Sequence, residues 1–226
     1  GIAEIIVLKL ISSGMNIEDA RRRICFFDSK GLVVKGRPHL NNQKQLYAHN
    51  VKEETNLAKV VEKEKPTILI GVSGQPDTFD ESILRKMAIL NDRPLIFALS
   101  NPTSKSECTA EKAYLWTEGR AIFSSGSPFD PVRWKHTTFY PGQGNNAYIF
   151  PGVGLGVVVS KASYVTDAMF IAAADTLADM VTDDDLEKGR LYPSISKMRD
   201  ISYKIAINVA KIAFNTRISG LPQPED

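Results

Sequence analysis

Pro66-Thr67-Ile68-Leu69-Ile70-Gly71-Val72-Ser73-Gly74 is the stretch whose reading decides the fold. A proline opens it, a short apolar run rich in β-branched side chains follows, and glycines and a serine close it. That pattern predicts a strand over 67–70 that runs straight into a strand-to-helix turn. The helices on either side fit the same unit. Asn56 to Lys63 reads as a helix before the strand. Asp80 to Leu90 reads as the helix after it, with Ile83, Leu84, Met87 and Leu90 on one face. The unit then repeats. Pro94-Leu95-Ile96-Phe97-Ala98-Leu99 is a second strand, ending in Ser100-Asn101-Pro102-Thr103. Thr109 caps a helix from Ala110 to Thr117, and Ala121 to Ser124 is a third strand, ending in Ser125-Gly126-Ser127-Pro128. Strands and helices in strict alternation imply an α/β fold, a doubly wound parallel sheet. Such sheets bind ligands at the carboxyl ends of their strands.

Outward from this centre the pattern changes. Residues 128–150 read as a loop-rich stretch of Pro, Gly and aromatic residues. Beyond it three helices are expected, Val153 to Ala162, Thr166 to Met180 and Ser196 to Asn215, and then an extended polar tail from Leu221 to Asp226. Toward the start, residues 2–13 predict a helix buried nearly all round and stopped by Gly14. A short helix from Asn16 to Arg23 follows, with Asn16 as its cap. Ile24-Cys25-Phe26-Phe27 then reads as one more buried strand of the parallel sheet. The opening Gly1-Ile2-Ala3-Glu4 carries no initiator Met or targeting segment and reads as the interior of a fold, so a preceding segment is expected.

Composition excludes several classes. The 226 residues are 43% hydrophobic and 24% charged, enough to bury a core. Lys and Arg number 28 against 26 Asp and Glu, a net charge of +2 that argues against a nucleic-acid arm or a polybasic membrane patch. The apolar runs, such as Ile5 to Leu8, are too short to span a bilayer. Two cysteines, Cys25 and Cys108, make neither a disulfide framework nor a zinc ribbon and fit a reducing intracellular compartment.

Candidate site residues cluster at the strand ends. Asp28 closes the run at Phe27, where an acid in a dinucleotide-binding sheet accepts hydrogen bonds from ribose hydroxyls. It also opens Asp28-Ser29-Lys30-Gly31, a good type I turn, and both readings stand. Gly71, Val72, Ser73 and Gly74 sit where backbone can approach a ligand closely, or where a plain turn is needed. Asn101 offers a donor and an acceptor for a carboxylate or an amide; an isolated Asn-Pro is a turn start. Pro141-Gly142-Gln143-Gly144-Asn145-Asn146 reads as a polar binding loop. Thr182-Asp183-Asp184-Asp185 reads as a helix start with a capping box, not a metal site. His39, His49 and His136 lack ligand spacing. Cys25 reads as inert core. Cys108, near a helix start, is placed where its pKa could be lowered.

Several segments taken in order resemble the malic enzyme family. They are Phe27-Asp28-Ser29-Lys30-Gly31-Leu32-Val33 with Lys35-Gly36-Arg37, Pro66-Thr67 through Gly74, and Arg93-Pro94 through Thr103. Glu107-Cys108-Thr109-Ala110-Glu111, Gly126-Ser127-Pro128-Phe129, Pro141 through Asn146, Gly189-Arg190-Leu191-Tyr192-Pro193 and Pro222-Gln223-Pro224-Glu225 complete the set. The match covers essentially the whole chain.

The resemblance implies a Rossmann-like NAD(P)-binding domain over 1–150 that lacks its first strand and glycine loop, with 151–226 as a helical extension. It implies oxidative decarboxylation of malate to pyruvate and carbon dioxide, with NADP or NAD and Mg²⁺ or Mn²⁺. Asp28, Ser29, Lys30, Gly71, Val72, Ser73, Gly74 and Asn101 would bind the cofactor. Asn101, Asn145 and Asn146 would bind substrate. The family's catalytic Tyr and Lys, its malate-binding Arg and its metal ligands belong upstream of Gly1, so no catalytic residue or metal ligand is assigned in this chain. The chain alone is expected to be inactive. Ser29-Lys30 resembles the NADP-using branch, although a further phosphate-binding lysine of that branch aligns with Gln45, beside Lys44; the balance leans to NADP. A small-molecule substrate, no nucleic acid, no membrane and a homo-oligomer are implied, with the cytoplasm or an organelle undecided. The alternative is a non-catalytic dinucleotide-binding or association module.

Overall fold

In a computed structural model, residues 1–222 are described; of the tail expected from Leu221 to Asp226, residues 223–226 lie outside the described residues. Helix α1 (Ile2–Ser12) runs to Ser13, and Gly14 follows with φ +95. The expectation of all-round burial fails. Only Val7 is buried on this helix and Ile2 is half exposed, because its neighbours α2 (Ile17–Arg22) and Tyr47 cover one side. Asn16 caps α2 as expected, its side chain accepting from the Asp19 amide.

The run Ile24 to Phe27 is not a buried strand of the parallel sheet. Strand β1 (Phe27–Asp28) pairs antiparallel with β2 (Gly31–Leu32) in a separate two-residue ladder, Asp28 opposite Gly31. Phe27 and Cys25 are exposed. Four apolar residues were too short a pattern to fix a pairing partner, and the Asp28–Gly31 turn folds the chain back at once. After α3 (Asn42–Gln45), helix α4 (Leu57–Glu64) begins on Asn56, whose side chain accepts from the Lys59 amide.

The central units follow the expected order. Strand β3 (Ile68–Gly71), helix α5 (Glu81–Leu90), strand β4 (Leu95–Ala98), helix α6 (Ala110–Trp116) and strand β5 (Ile122–Ser125) alternate along the chain. Asp80 and Thr109 cap the two helices through their side chains. The strands are parallel, with Ile68 beside Leu95 and Leu95 beside Ile122. Two pieces inside 128–150 were not foreseen. Strands β6 (Val132–Trp134) and β7 (Thr137–Phe139) form a hairpin, and β8 (Gly142–Gln143) adds a fourth parallel strand beside Ser124 and Ser125. The sheet order is β3-β4-β5-β8. Flanking helices complete a Rossmann-like α/β fold, the expected class. Its core joins Leu84, Met87, Ile96, Tyr114 and Phe123, all fully buried.

Three longer helices finish the chain: α7 (Phe150–Ser160), α8 (Asp167–Ala178) and, after the short α9 (Asp183–Glu187), α10 (Met198–Asn215). They share a second core around Met169, Ile201, Ile205 and Val209. Helix α7 lies so close on α10 that a Cβ at Gly152 would come within 2.6 Å of Ile205 Cβ, and one at Gly156 within 2.7 Å of the Ala206 carbonyl oxygen. Among the described residues no helix is long and apolar enough to cross a membrane.

Candidate functional site

Loops at the carboxyl edge of the sheet meet one another. Gly71 ends β3 and is followed by the exposed Val72, then Ser73 and Gly74, the last with φ +67. The loop after β4 carries Ser100 and Asn101. The Gly74 amide donates to Ser100 Oγ at 2.8 Å, joining the two loops directly. Ser127, beyond β5, contacts the Asn101 side chain, its Oγ 2.5 Å from Asn101 Oδ1. Gly126 leaves no room for a side chain, since a Cβ there would stand 2.3 Å from the Leu99 carbonyl oxygen and 2.7 Å from Asn101 Oδ1. The 141–146 segment joins this edge through the Gly144 amide, which donates to the Ser125 carbonyl at 2.8 Å. Asn145 is held by the Ala147 amide, which donates to its Oδ1 at 2.9 Å; Asn146 is exposed.

A buried carboxylate to which the sequence assigns no role lies beneath these loops. Glu107 is fully buried. Its Oε1 accepts from the Ser73 amide at 2.8 Å, from Ser73 Oγ at 2.9 Å and from Ser100 Oγ at 2.5 Å. Its Oε2 accepts from the Ser100 amide at 3.3 Å. Burial alone would raise this carboxyl; the hydrogen bonds from Ser100 and Ser73 outweigh it and hold the group below the usual carboxylate range. A Cβ on Gly71 would lie 2.5 Å from both Cγ and Cδ of Glu107. The glycine read as room for a ligand is therefore already required by a side chain of this chain. That glycine was the one sequence signal that could have pointed to Glu107.

Asp28 stands apart, in the β1–β2 ladder. It is both a turn residue and the centre of a charge cluster. Its Oδ1 accepts from the Lys30 amide at 2.9 Å, and its Oδ2 accepts from the Arg37 guanidinium and the Lys44 ammonium. Arg37, its side chain nearly buried, also donates to the Gly31 and Leu32 carbonyls at 3.1 and 3.2 Å. Partial burial pushes the Asp28 carboxyl up, and the hydrogen bonds from Lys44, Arg37 and Lys30 more than reverse it, holding it well below the usual range. The Ser29 and Lys30 side chains are exposed at the rim. Gln45 turns its amide away, to the Leu40 carbonyl at 3.1 Å, so Lys44 rather than position 45 brings the cation to Asp28.

The other expectations divide. Thr182 and Asp185 form the expected capping box. His49 Nε2 lies 2.8 Å from the Ile24 carbonyl oxygen, and among the described residues no group of three or more His, Cys, Asp or Glu is placed to hold a metal ion. Cys25 is exposed rather than core; desolvation, with the charge of Glu64, pushes its thiol up to about 11. Cys108 is buried, and burial followed by the charge of Glu107 pushes it up to about 12, so the nearby helix start does not lower it.

The chain has counterparts among known proteins. The sequence profile described as "Malic enzyme, NAD binding domain" matches residues 1–214. The chain belongs to the malic enzyme family. It is 48% identical to a relative from Rattus norvegicus named NADP-dependent malic enzyme, over its whole length and 40% of that protein. The pigeon (Columba livia) NADP-dependent malic enzyme is 50% identical over 41% of its length, and a human mitochondrial NADP-dependent malic enzyme 49% over 38%. The chain thus spans about two fifths of the malic enzymes it matches. The crystal structure of Entamoeba histolytica malic enzyme superposes with a TM-score of 0.72 at 22% identity, covering 95% of this chain and 41% of that one. At that identity the likeness speaks for the fold. A malic enzyme from Pyrococcus horikoshii gives 0.53 at 25% identity, over 73% of this chain and 34% of that one.

Proposed function

We propose that this chain is the dinucleotide-holding part of a malic enzyme that oxidatively decarboxylates malate to pyruvate and carbon dioxide with NADP, the described part of residues 151–226 being a helical extension of the same domain. The observation that carries the reading is the junction of the 71–74, 100–101, 126–127 and 143–145 loops at one sheet edge, within a fold of this family. The residues suit a dinucleotide. A carboxylate held ionised by two cations can accept from ribose hydroxyls, while Arg37 and Lys44 offer charge to a 2′-phosphate. The relatives' names and the Ser29-Lys30-Lys44 set favour NADP over NAD. Bound, the cofactor would take a hydride from the malate carbon that bears the hydroxyl.

The asparagines have defined duties in this reading. The Ala147 amide can only donate, so the Asn145 atom it meets is the carbonyl oxygen and the NH₂ group is left for a ligand. Ser127 Oγ donates to the Asn101 oxygen, which leaves the Asn101 NH₂ for a ligand. Two amide donors at one edge suit a carboxylate acceptor without adding charge. Asn146 is exposed next to them. Among the described residues no group of three or more His, Cys, Asp or Glu is placed to hold a divalent cation.

Calorimetric titration of the 226-residue chain tests the reading. NADP⁺ is expected to bind and NAD⁺ to bind more weakly. Binding of neither would end the dinucleotide assignment, and tighter NAD⁺ binding would overturn the choice of cofactor.

A further inference from the structure

Glu107 is a charge that mere packing would not select. It is fully buried, and its partners are neutral hydroxyl and amide donors. Burying an ionised carboxylate without a cation costs several kcal/mol unless its oxygens are well supplied with donors. A neutral side chain could fill the space at lower cost. What a carboxylate adds is acceptor capacity on two oxygens at once. Here that capacity is spent on two different loops: Ser73 from the loop after β3, and Ser100 from the loop after β4.

The arrangement is closed on all sides. The Gly74 amide donates to Ser100 Oγ, which in turn donates to Glu107, so the first loop reaches the carboxylate directly and again through the second. Gly71 abuts the Glu107 side chain and fixes where it lies. Its backbone is fixed too, because the Phe79 amide donates to the Glu107 carbonyl at 3.0 Å, and Ser106 Oγ donates to the Cys108 carbonyl at 2.9 Å. Asn101 follows Ser100 immediately. Its backbone adjoins the residue that Glu107 grips at two atoms.

We propose that Glu107 is a positioning residue, a buried latch that locks the Gly71–Gly74 loop to the Ser100–Asn101 loop and so sets the dinucleotide contacts and the carboxylate-binding amide in one register. The identity of the ligands rests on the function proposed above; the lock itself rests on geometry alone. The isosteric Glu107→Gln variant keeps one acceptor oxygen and turns an NH₂ toward the Ser100 N–H, donor against donor.

The test combines amide hydrogen exchange with binding, on the full chain. In Glu107→Gln, exchange at Ser73, Gly74 and Ser100 is expected to rise together by about tenfold or more, while amides in the middle of α10 keep their protection. Affinity for NADP⁺ is expected to fall by about tenfold, with adenosine 2′,5′-bisphosphate, whose recognition would draw on Asp28 and its partners, changed by less than about twofold. Equal losses for both ligands, or loosening of one loop without the other, would overturn the latch. Should Glu107→Gln not fold, Ser100→Ala carries the test. It removes a hydroxyl from one loop and is expected to speed exchange at the Ser73 amide in the other, with which it shares Glu107. An unchanged Ser73 amide would sink the proposal. If wild-type chain binds no NADP⁺ yet both loops loosen together, the latch stands and the functional reading falls.

Discussion

Two carboxylates of this chain solve opposite problems. Glu107 is fully buried and satisfied by neutral donors; Asp28 lies near the surface and is satisfied by Arg37 and Lys44. The first sits where shape must be held and a mobile cation would be a poor tie. The second sits where charge can be offered to a ligand, and a long lysine can swing to meet it. The difference teaches that a strongly held acid is not by itself a binding acid. Both carboxyls are held below their usual range, but only Asp28 lies near the surface, beside the partly exposed Lys44.

The largest effect is expected at Gly71. Gly71→Ala would place a carbon 2.5 Å from Glu107 Cγ and Cδ, in a side chain held by hydrogen bonds from Ser73 and Ser100. A loss of about 2 kcal/mol or more is expected in urea unfolding. A wild-type midpoint would mean that the Glu107 side chain is free to move and is not held in place by the two loops.

A middle-sized effect is expected at Lys44. Lys44→Ala removes one of the two cations on Asp28, and the preference for NADP⁺ over NAD⁺ should narrow by about tenfold, near 1.4 kcal/mol, with NAD⁺ affinity little changed. Equal losses for both cofactors would assign Lys44 to structure rather than to selection. Gln45→Ala serves as the control, since its side chain turns to Leu40.

The smallest effect is on acid stability. Asp28 is depressed in the folded chain, so the unfolded chain binds the proton more tightly there. Its contribution is fully present above the ordinary carboxylate pKa of about 4 and is lost as pH falls below it. Asp28→Asn should therefore flatten part of the acid limb of a stability-against-pH curve while lowering stability at neutral pH. An acid limb identical to wild type would show that the cluster does not hold the charge.

Much of the fold was legible because its signals are local. Asn16, Asn56, Asp80, Thr109, Thr166 and Thr182 each cap the helix they precede, and a cap is decided within four residues. The three strands that open the sheet announced themselves by apolar runs closed by Gly, Ser or Asn. Where pairing depends on distant chain, the sequence was mute. Ile24 to Phe27 has the composition of a strand but no neighbour to make it one in the main sheet, and Gly142–Gln143 has no strand pattern yet pairs through backbone beside β5. The site followed the same rule. The loops at strand ends were visible, but Ser106-Glu107-Cys108 looks like any polar turn, since nothing local says that a carboxylate will be roofed by two loops.

The close seat of α7 on α10 carries a consequence beyond its own core. Helix α7 starts four residues after Asn146, and its contacts at Gly152 and Gly156 leave no clearance against Ile205 and the Ala206 carbonyl. A part machined to zero clearance transmits its own dimensions to whatever is mounted on it. The asparagine pair is mounted there, so its place is gauged from residues some sixty positions downstream. Sequence drift at Ile205 would then be registered as a misaligned amide at position 145.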